Sequence, residues 1–452
     1  MKLERLHLRN FRCFEDITVD FGKRLTVIIA DNGAGKTALL DAIAIGFGRY
    51  LTKLPSISGR TTRKTDLRVG VKERCEPFLW IAWEARTHDD QLLTWSSRRR
   101  RDASVTTAFI EKQLSVEQLG LERGQKEIDG FSLGLVEAEA NQRPYFLPVV
   151  TYYGTNRTIR EEVQRRRGFK KNFTRFDALA EALEPDSRFR AAFEWFNAME
   201  DVQRREREAQ RDFDYQHPDL QIVREAIERL LQGYKNPRTE IRPLRFVIDH
   251  VSPSGQVRTL RVSQLSDGYR VVLGVVMDLA RRMMEANNHA VPVSMQERNP
   301  LDMPAIVLID ELDLHLHPRW QQRIVTDLMQ TFTNTQFIVT THSPQVLSTV
   351  KRENVRVICT DSAGHIVVRQ PLAATYGEPS GDVMHSVMLV DPQPPITEKK
   401  DLQQLTEWID QGRYHEQQVI KLMQELTEAL GEQHPQLQRL KRSIQRQEAL
   451  KQ

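Results

Sequence analysis

Cysteine is scarce in this chain, 3 residues in 452, and Cys13, Cys75 and Cys359 show no metal-ligand spacing. That pattern excludes a disulfide scaffold and a zinc cluster, and it suits a reducing compartment. Long apolar runs are missing as well. The longest are strand-sized, so no transmembrane helix and no membrane partner are expected. The stretch from Met1 to Phe11 alternates like a strand, and charges interrupt it too often for a signal peptide, so the expected location is cytoplasmic. Excess charge of one sign is also missing: a net +4 does not by itself argue for nucleic acid. No internal repeat is visible. Basic residues do cluster at Arg98–Arg101, at Arg165–Arg167 with Lys170 and Lys171, and at Arg204, Arg205 and Arg207. Each cluster fits either a solvated face or contact with a phosphate backbone, and no aromatic residues interleave as a stacking platform would need. The last cluster is offset by Asp201, Glu206 and Glu208 and suits the solvated face best.

What remains is an ordinary globular composition, 40% hydrophobic and 28% charged, long enough for two or three domains. The most informative stretch is Ala30-Asp31-Asn32-Gly33-Ala34-Gly35-Lys36-Thr37. An apolar strand-like run, Leu25 to Ile29, precedes it, and a helix-like run, Ala38 to Ala44, follows. Strand, glycine-rich turn and helix start together make a phosphate cradle, with amides pointing inward and the helix dipole favouring negative charge. Lys36 can reach β- and γ-phosphates and the Thr37 hydroxyl can ligate Mg²⁺. Ala30 stands where the motif expects its first glycine.

Along the rest of the chain, Val71 to Arg86 reads as a strand pair, Arg98 to Gln142 as polar and poorly periodic, and Pro148 to Gly154 as a buried strand. From about Phe176 to Gly233 the period turns helical: Phe189, Phe193 and Phe196 share one stripe, and Leu220, Val223, Ile227 and Leu230 another. The α/β pattern is expected to resume at Leu244 to Ile248. Strands at Ala305–Ile309 and Gln336–Thr341 flank a helix at Trp320–Thr331, an order that argues for a parallel sheet. After a stiff Asp391–Pro395 linker, three short amphipathic helices follow between Leu402 and Ile444.

Three further segments bear on the same ligand. Ala305–Ile309 ends in Asp310 and Glu311; a buried strand often ends in an acidic loop, but beside a phosphate loop Asp310 can hold Mg²⁺ and Glu311 can polarise the attacking water. Leu265-Ser266-Asp267-Gly268-Tyr269 precedes a helix running from Arg270 towards Met284; it reads as an N-cap, and such a helix start with Ser266 and Gly268 can also grip a γ-phosphate. Thr340-Thr341-His342-Ser343-Pro344 ends a strand at the sheet edge where ligands bind.

In chain order these segments resemble the nucleotide-binding domain of ABC-type ATPases: Walker A, signature, Walker B with a D-loop, and switch histidine. Leu312 to Pro318 is similar to the D-loop of the RecF, SMC and OLD-like branch rather than of transporters, as are Leu8-Arg9-Asn10-Phe11-Arg12 with Phe14 and the long gap between Thr37 and Leu265. Within that branch the chain resembles the PtuA-type ATPases of Septu and some retron anti-phage systems, through the 30–37 loop, Tyr152-Tyr153-Gly154-Thr155-Asn156-Arg157, Phe193-Glu194-Trp195-Phe196 and Thr340 to Leu347.

That resemblance implies an α/β fold, an ABC-type P-loop NTPase with a helical insertion between its two lobes and a small helical C-terminal region. The implied layout is an N-terminal lobe at 1–155, the insertion at 156–243, a second lobe at 244–375 and a helical tail at 376–452. Asn32, Gly33, Ala34, Gly35, Lys36 and Thr37 would bind ATP, Thr37 and Asp310 would hold Mg²⁺, Glu311 would be the base, and His342 would contact the γ-phosphate. Ser266 and Gly268 would complete the site of the opposite protomer in a head-to-tail homodimer or higher homo-oligomer. An HNH nuclease subunit of PtuB type is the implied partner, with DNA, RNA or a retron reverse transcriptase–nucleic acid complex as others; a RecF-like repair ATPase binding DNA directly is the alternative. No nuclease site of the chain's own is expected. The tail helices would dock the partner or pack on the ATPase lobes. Two positions depart from the pattern: Tyr269 replaces the usual Gln or Glu, which implies slow hydrolysis, and no Q-loop glutamine is clear, with Asp66 nearest its place.

Overall fold

The computed structural model describes residues 1–70, 74–157, 174–185, 189–287 and 299–450. The chain opens with the hairpin β1 (Lys2–Phe11) and β2 (Phe14–Asp20), where Ile17 and Val19 turn inward and Asp16, Thr18 and Asp20 outward. That period of two is what a sheet with one solvated face requires. β3 (Leu25–Ile29) is buried on both faces and leads into α1 (Lys36–Thr52), itself almost wholly buried. β4 (Phe78–Arg86) and β5 (Leu92–Arg100) join β1 and β2 in an antiparallel sheet of order β2-β1-β4-β5. Then come α2 (Thr107–Gln113), α3 (Val116–Gly120), α4 (Lys126–Ala140) and β6 (Val149–Tyr153). α5 (Phe189–Gln210) and α6 (Pro218–Leu230) precede a three-stranded antiparallel sheet of β7 (Tyr234–Ile241), β8 (Leu244–Val251) and β9 (Val257–Arg261). α7 (Asp267–Asn287) leads to β10 (Ala305–Ile309), α8 (Pro318–Gln321), α9 (Ile324–Thr331), β11 (Gln336–Thr340), α10 (Pro344–Leu347), β12 (Val355–Thr360) and β13 (Ile366–Arg369).

The second sheet has the order β13-β12-β3-β11-β10-β6, and all its strands but β13 run parallel. Its register sets Thr340 beside Ile28, and Ile309 beside both Val339 and Tyr153. The carboxyl ends of β3, β11, β10 and β6 are thereby brought side by side, and this α/β arrangement is the ABC-type P-loop fold. Loops that are far apart in the chain open onto one edge.

Several local expectations are corrected. Within Val71 to Arg86 the described residues hold one strand, β4, which pairs with β1 on one side and β5 on the other; Trp80 and Trp83 are both buried, one on each face. The stretch from Arg98 to Gln142 carries three helices. The buried stripe of α4 is Ile128, Ser132, Leu135 and Ala138, and a serine and an alanine disguise it. Leu244 to Ile248 does not rejoin the parallel sheet but lies in the antiparallel β8. β7 starts at Tyr234, ahead of the point where strands were expected, because a register shift between Lys235 and Arg238 next to Pro237 breaks its alternation. α7 starts at Asp267, ahead of Arg270.

Two compact units emerge, Met1–Val383 and Met384–Gln452. α11 (Ser380–Ser386) spans their junction in sequence. In the second unit α12 (Lys399–Asp410), α13 (Gln417–Leu430) and α14 (Pro435–Ala449) bury Leu402, Leu405, Ile409, Val419, Leu426, Leu437 and Leu440 in one cluster. The apolar stripes of the tail thus pack on one another.

Candidate functional site

The phosphate loop follows the all-buried β3. Gly33 and Gly35 take positive φ, 79° and 107°. At Gly35 a Cβ would come within 2.5 Å of Cys13 Sγ and 2.7 Å of a Phe14 ring atom, so only glycine fits where β1 and β2 turn beneath the loop. Asn32, Gly33 and Thr37 are exposed, and Ala34 and Gly35 partly so. Lys36 is buried, and its ammonium donates to the carbonyls of Ala30 at 3.0 Å and Asp31 at 3.1 Å. Burial lowers its pKa, while the carboxylates of Asp310, Glu311, Asp31 and Asp313 pull the other way. An ammonium has three donors, and these contacts use two of them.

Thr37 and Asp310, far apart in sequence, meet: the Thr37 hydroxyl donates to Asp310 Oδ2 at 2.7 Å. Thr340, at the end of β11, donates its hydroxyl to Asp310 Oδ1 at 2.6 Å and accepts the Glu311 amide at 2.7 Å. Both oxygens of the buried carboxylate are aimed by hydroxyl groups. Glu311 has φ 49°, a left-handed backbone that a non-glycine residue keeps only when its surroundings impose it. Asp313 accepts from Thr341 Oγ1 at 2.5 Å and from the His342 amide at 3.2 Å, which ties the turn after β10 to the end of β11. Gln321 accepts from Ser343 Oγ at 2.7 Å. His342 itself is half-buried.

Gly268 is buried, and a Cβ there would lie 2.6 Å from the His315 carbonyl, so the start of α7 presses on the loop after Glu311. Ser266 is exposed. Neither hydrogen-bonds to the Lys36, Thr37 and Asp310 group among the described residues. Tyr269 packs edge-on against Trp320 at 4.4 Å and tilted against Tyr234 at 4.8 Å, a packing role that accounts for an aromatic ring at this position. Asp66 is buried and occupied, taking Arg12 Nε at 2.9 Å and the Arg63 amide at 2.7 Å.

Of the basic clusters, 165–171 lies outside the described residues. Arg98 is near Glu122 at 3.6 Å, Arg99 donates to Thr62, Arg100 to Thr107 and Arg101 to Asp102. Arg204 pairs with Asp201 at 2.9 Å, and Arg207 donates to the Tyr215 carbonyl at 2.7 Å.

Thr340, Asp313 and Arg157 were not singled out as site residues from sequence, although the motifs containing them were. Arg157 donates to the main-chain carbonyls of Gly154, Asp310 and Glu311. One residue upstream of Gly154, Tyr153 donates to Asp278 Oδ2 at 2.9 Å, and Asp278 also takes Arg281 and Arg282, so a buried ionic group binds α7 to β6. Only knowledge of which strands adjoin would have drawn attention to these partners.

A family model described as an AAA domain matches residues 5–235, just over half of the chain. A second AAA-domain model, described with an AbiEii toxin of a type IV toxin–antitoxin system, matches residues 127–348. The chain is 27% identical over 396 residues to "Retron Ec83 probable ATPase" of Escherichia coli, covering 78% of this chain and 71% of that protein. It is 36% identical over 117 residues to "Septu protein PtuA" of Bacillus mycoides, covering 26% of this chain and 15% of that protein. Among solved structures, the SMC head domain from Thermotoga maritima aligns with 82% of this chain and 100% of its own at 16% identity, with a TM-score of 0.41.

Proposed function

The chain belongs to the AAA-domain family, and on that premise we propose that it is the ATP-binding and ATP-hydrolysing subunit of an anti-phage defence complex, which senses nucleotide and holds an HNH nuclease partner in check. The observation that carries the ATPase reading is the hydrogen bond between Thr37 and Asp310. It joins the last residue of the phosphate loop to the acid at the end of β10, and it offers Mg²⁺ the hard oxygen ligands that ion prefers. The likeness to a retron ATPase and to PtuA supports the defence setting.

In this reading Lys36 and the amides of residues 32–37 hold the phosphates of ATP, and Thr37 and Asp310 hold Mg²⁺, which neutralises phosphate charge when bound. Glu311 accepts the proton of the attacking water. His342 donates a hydrogen bond to a γ-phosphate oxygen, and Ser266 with Gly268, at the start of α7, completes the nucleotide site of a second copy in a head-to-tail dimer. Closure of that dimer shifts geometry only as far as ATP prefers the closed state over the open one. The second unit, with a core of its own, is the element assigned to partner docking.

The test is co-expression with an HNH nuclease encoded beside this chain. The two should co-purify, with the nuclease silent at saturating ATP and active after ATP depletion. A nuclease that is equally active in both conditions, or does not co-purify, overturns the defence reading. Lys36→Ala should weaken ATP binding by about 100-fold or more, and undiminished affinity overturns the site.

A further inference from the structure

One buried cation at the catalytic edge has no part in that chemistry. Arg157, 2% exposed, lies just past the end of β6. Its Nη1 donates to the carbonyls of Gly154, at 2.8 Å, and Asp310, and its Nη2 donates to the carbonyl of Glu311. Burying a guanidinium is costly, and carbonyls at a strand end could be satisfied by amides or water instead. Burial pulls the group down to about 10, against the opposing pull of the Asp310, Asp313 and Glu311 carboxylates, so it stays charged at neutral pH. What a guanidinium adds over neutral donors is a rigid planar fork that fixes several acceptors relative to one another. One of the residues it grips, Glu311, holds a left-handed backbone at φ 49°. On its other side Arg157 lines an apolar cavity of about 20 Å³ with Val271, Val272 and Val275 of α7 and with Ile309 and Leu312.

We propose that Arg157 is a positioning residue for hydrolysis: its fork locks the Asp310–Glu311 turn so that both carboxylates point where metal and water are handled. The inference rests on the ATPase reading of the same site. Arg157 acts through main chain and not through the phosphate loop, so its loss lowers turnover and spares nucleotide affinity.

The experiment measures equilibrium ATP affinity and steady-state turnover in the full chain for Arg157→Lys, which keeps the charge but not the fork, and for Arg157→Met. For both, kcat should fall by about 100-fold with ATP affinity within about threefold of the unaltered protein. Because Arg157 acts through Glu311, combining Arg157→Lys with Glu311→Gln should slow turnover no further than Glu311→Gln alone. A merely structural arginine would instead lower affinity and thermal midpoint together and add its loss to that of Glu311→Gln. Either that pattern, or kcat within about threefold for Arg157→Lys, overturns the proposal. Should Arg157→Met fail to fold, the Lys variant decides. If the unaltered protein does not hydrolyse ATP, or Lys36→Ala binds it normally, the ATPase reading fails first, and the role of Arg157 falls with it.

Discussion

Thr340 offers a sharp test of how Asp310 and Glu311, the proposed metal ligand and base, are held. Its hydroxyl donates to Asp310 Oδ1 at 2.6 Å and accepts the Glu311 amide at 2.7 Å. Thr340→Val keeps the branched shape and removes both bonds. Asp310 is only 4% exposed, so water cannot readily replace the lost donor. A hydrogen bond to a charged group is worth about 1.5–3 kcal/mol, and an amide left unsatisfied costs about 1–3 kcal/mol. The turn can escape part of that penalty by relaxing Glu311 out of its left-handed conformation, which itself holds about 1–3 kcal/mol. The cheapest response to the mutation is therefore to move Glu311, the proposed base. We expect kcat to fall about 100-fold, equivalent to about 2.7 kcal/mol at the transition state. ATP affinity should change by less than about threefold, since Lys36 and the loop amides keep their contacts. Thr340→Ser, which retains the hydroxyl, should stay within about threefold of the unaltered protein. Phosphate release across an ATP titration, with nucleotide binding measured separately, separates these terms. Near-normal turnover in Thr340→Val, or an equal loss in Thr340→Ser, would refute the reasoning.

Four other outcomes are expected. Glu311→Gln should bind ATP normally and lose turnover by about 100-fold or more; an unchanged kcat removes Glu311 as the base. Gly35→Ala must force its Cβ away from Cys13 and Phe14 at a residue with φ 107°, so ATP affinity measured by titration should drop by about 10-fold or more. For Asp278, burial alone would raise the carboxyl, but Arg282 and Arg281 overcome it and hold it at about 2. Its folded pKa lies below the unfolded one, so its contribution, on the order of 2 kcal/mol, is present above about pH 4 and lost as pH falls towards 2; urea unfolding at pH 5 and pH 3 should show a smaller acid loss in Asp278→Asn than in the unaltered protein. Removing residues 391–452, whose helices share their own core, should leave ATP binding intact by titration and release a co-purifying nuclease, and a partner that stays bound in a pull-down refutes the docking role.

How much of this was legible in advance depended on how local each requirement is. The phosphate loop could be read directly, because Gly33, Gly35, Lys36 and Thr37 are contiguous and their backbone angles and chemistry are set within one turn. β3, β10 and β11 announced themselves as short, wholly buried apolar runs. α4 did not, since Ser132 and Ala138 lie on its buried face and blur the period. β7 was hidden by its irregular register, and β8 carried a strand pattern that said nothing about which sheet it would join. The tail helices showed apolar stripes, and a stripe records only that a face must be covered, not by what.

By itself, then, the order of residues determined the motifs, their chemical types and the alternation that demands a parallel sheet. Only the tertiary structure decided that Thr37, Asp310, Thr340 and Arg157 meet. They come from the ends of β3, β10, β11 and β6, which are adjacent in the order β3-β11-β10-β6 and not in the order of the chain. The reason is physical. A strand's ladder of amides and carbonyls is the same whichever neighbour it pairs with, so its partner is chosen by the packing of the whole sheet, and the contacts at its end follow from that choice.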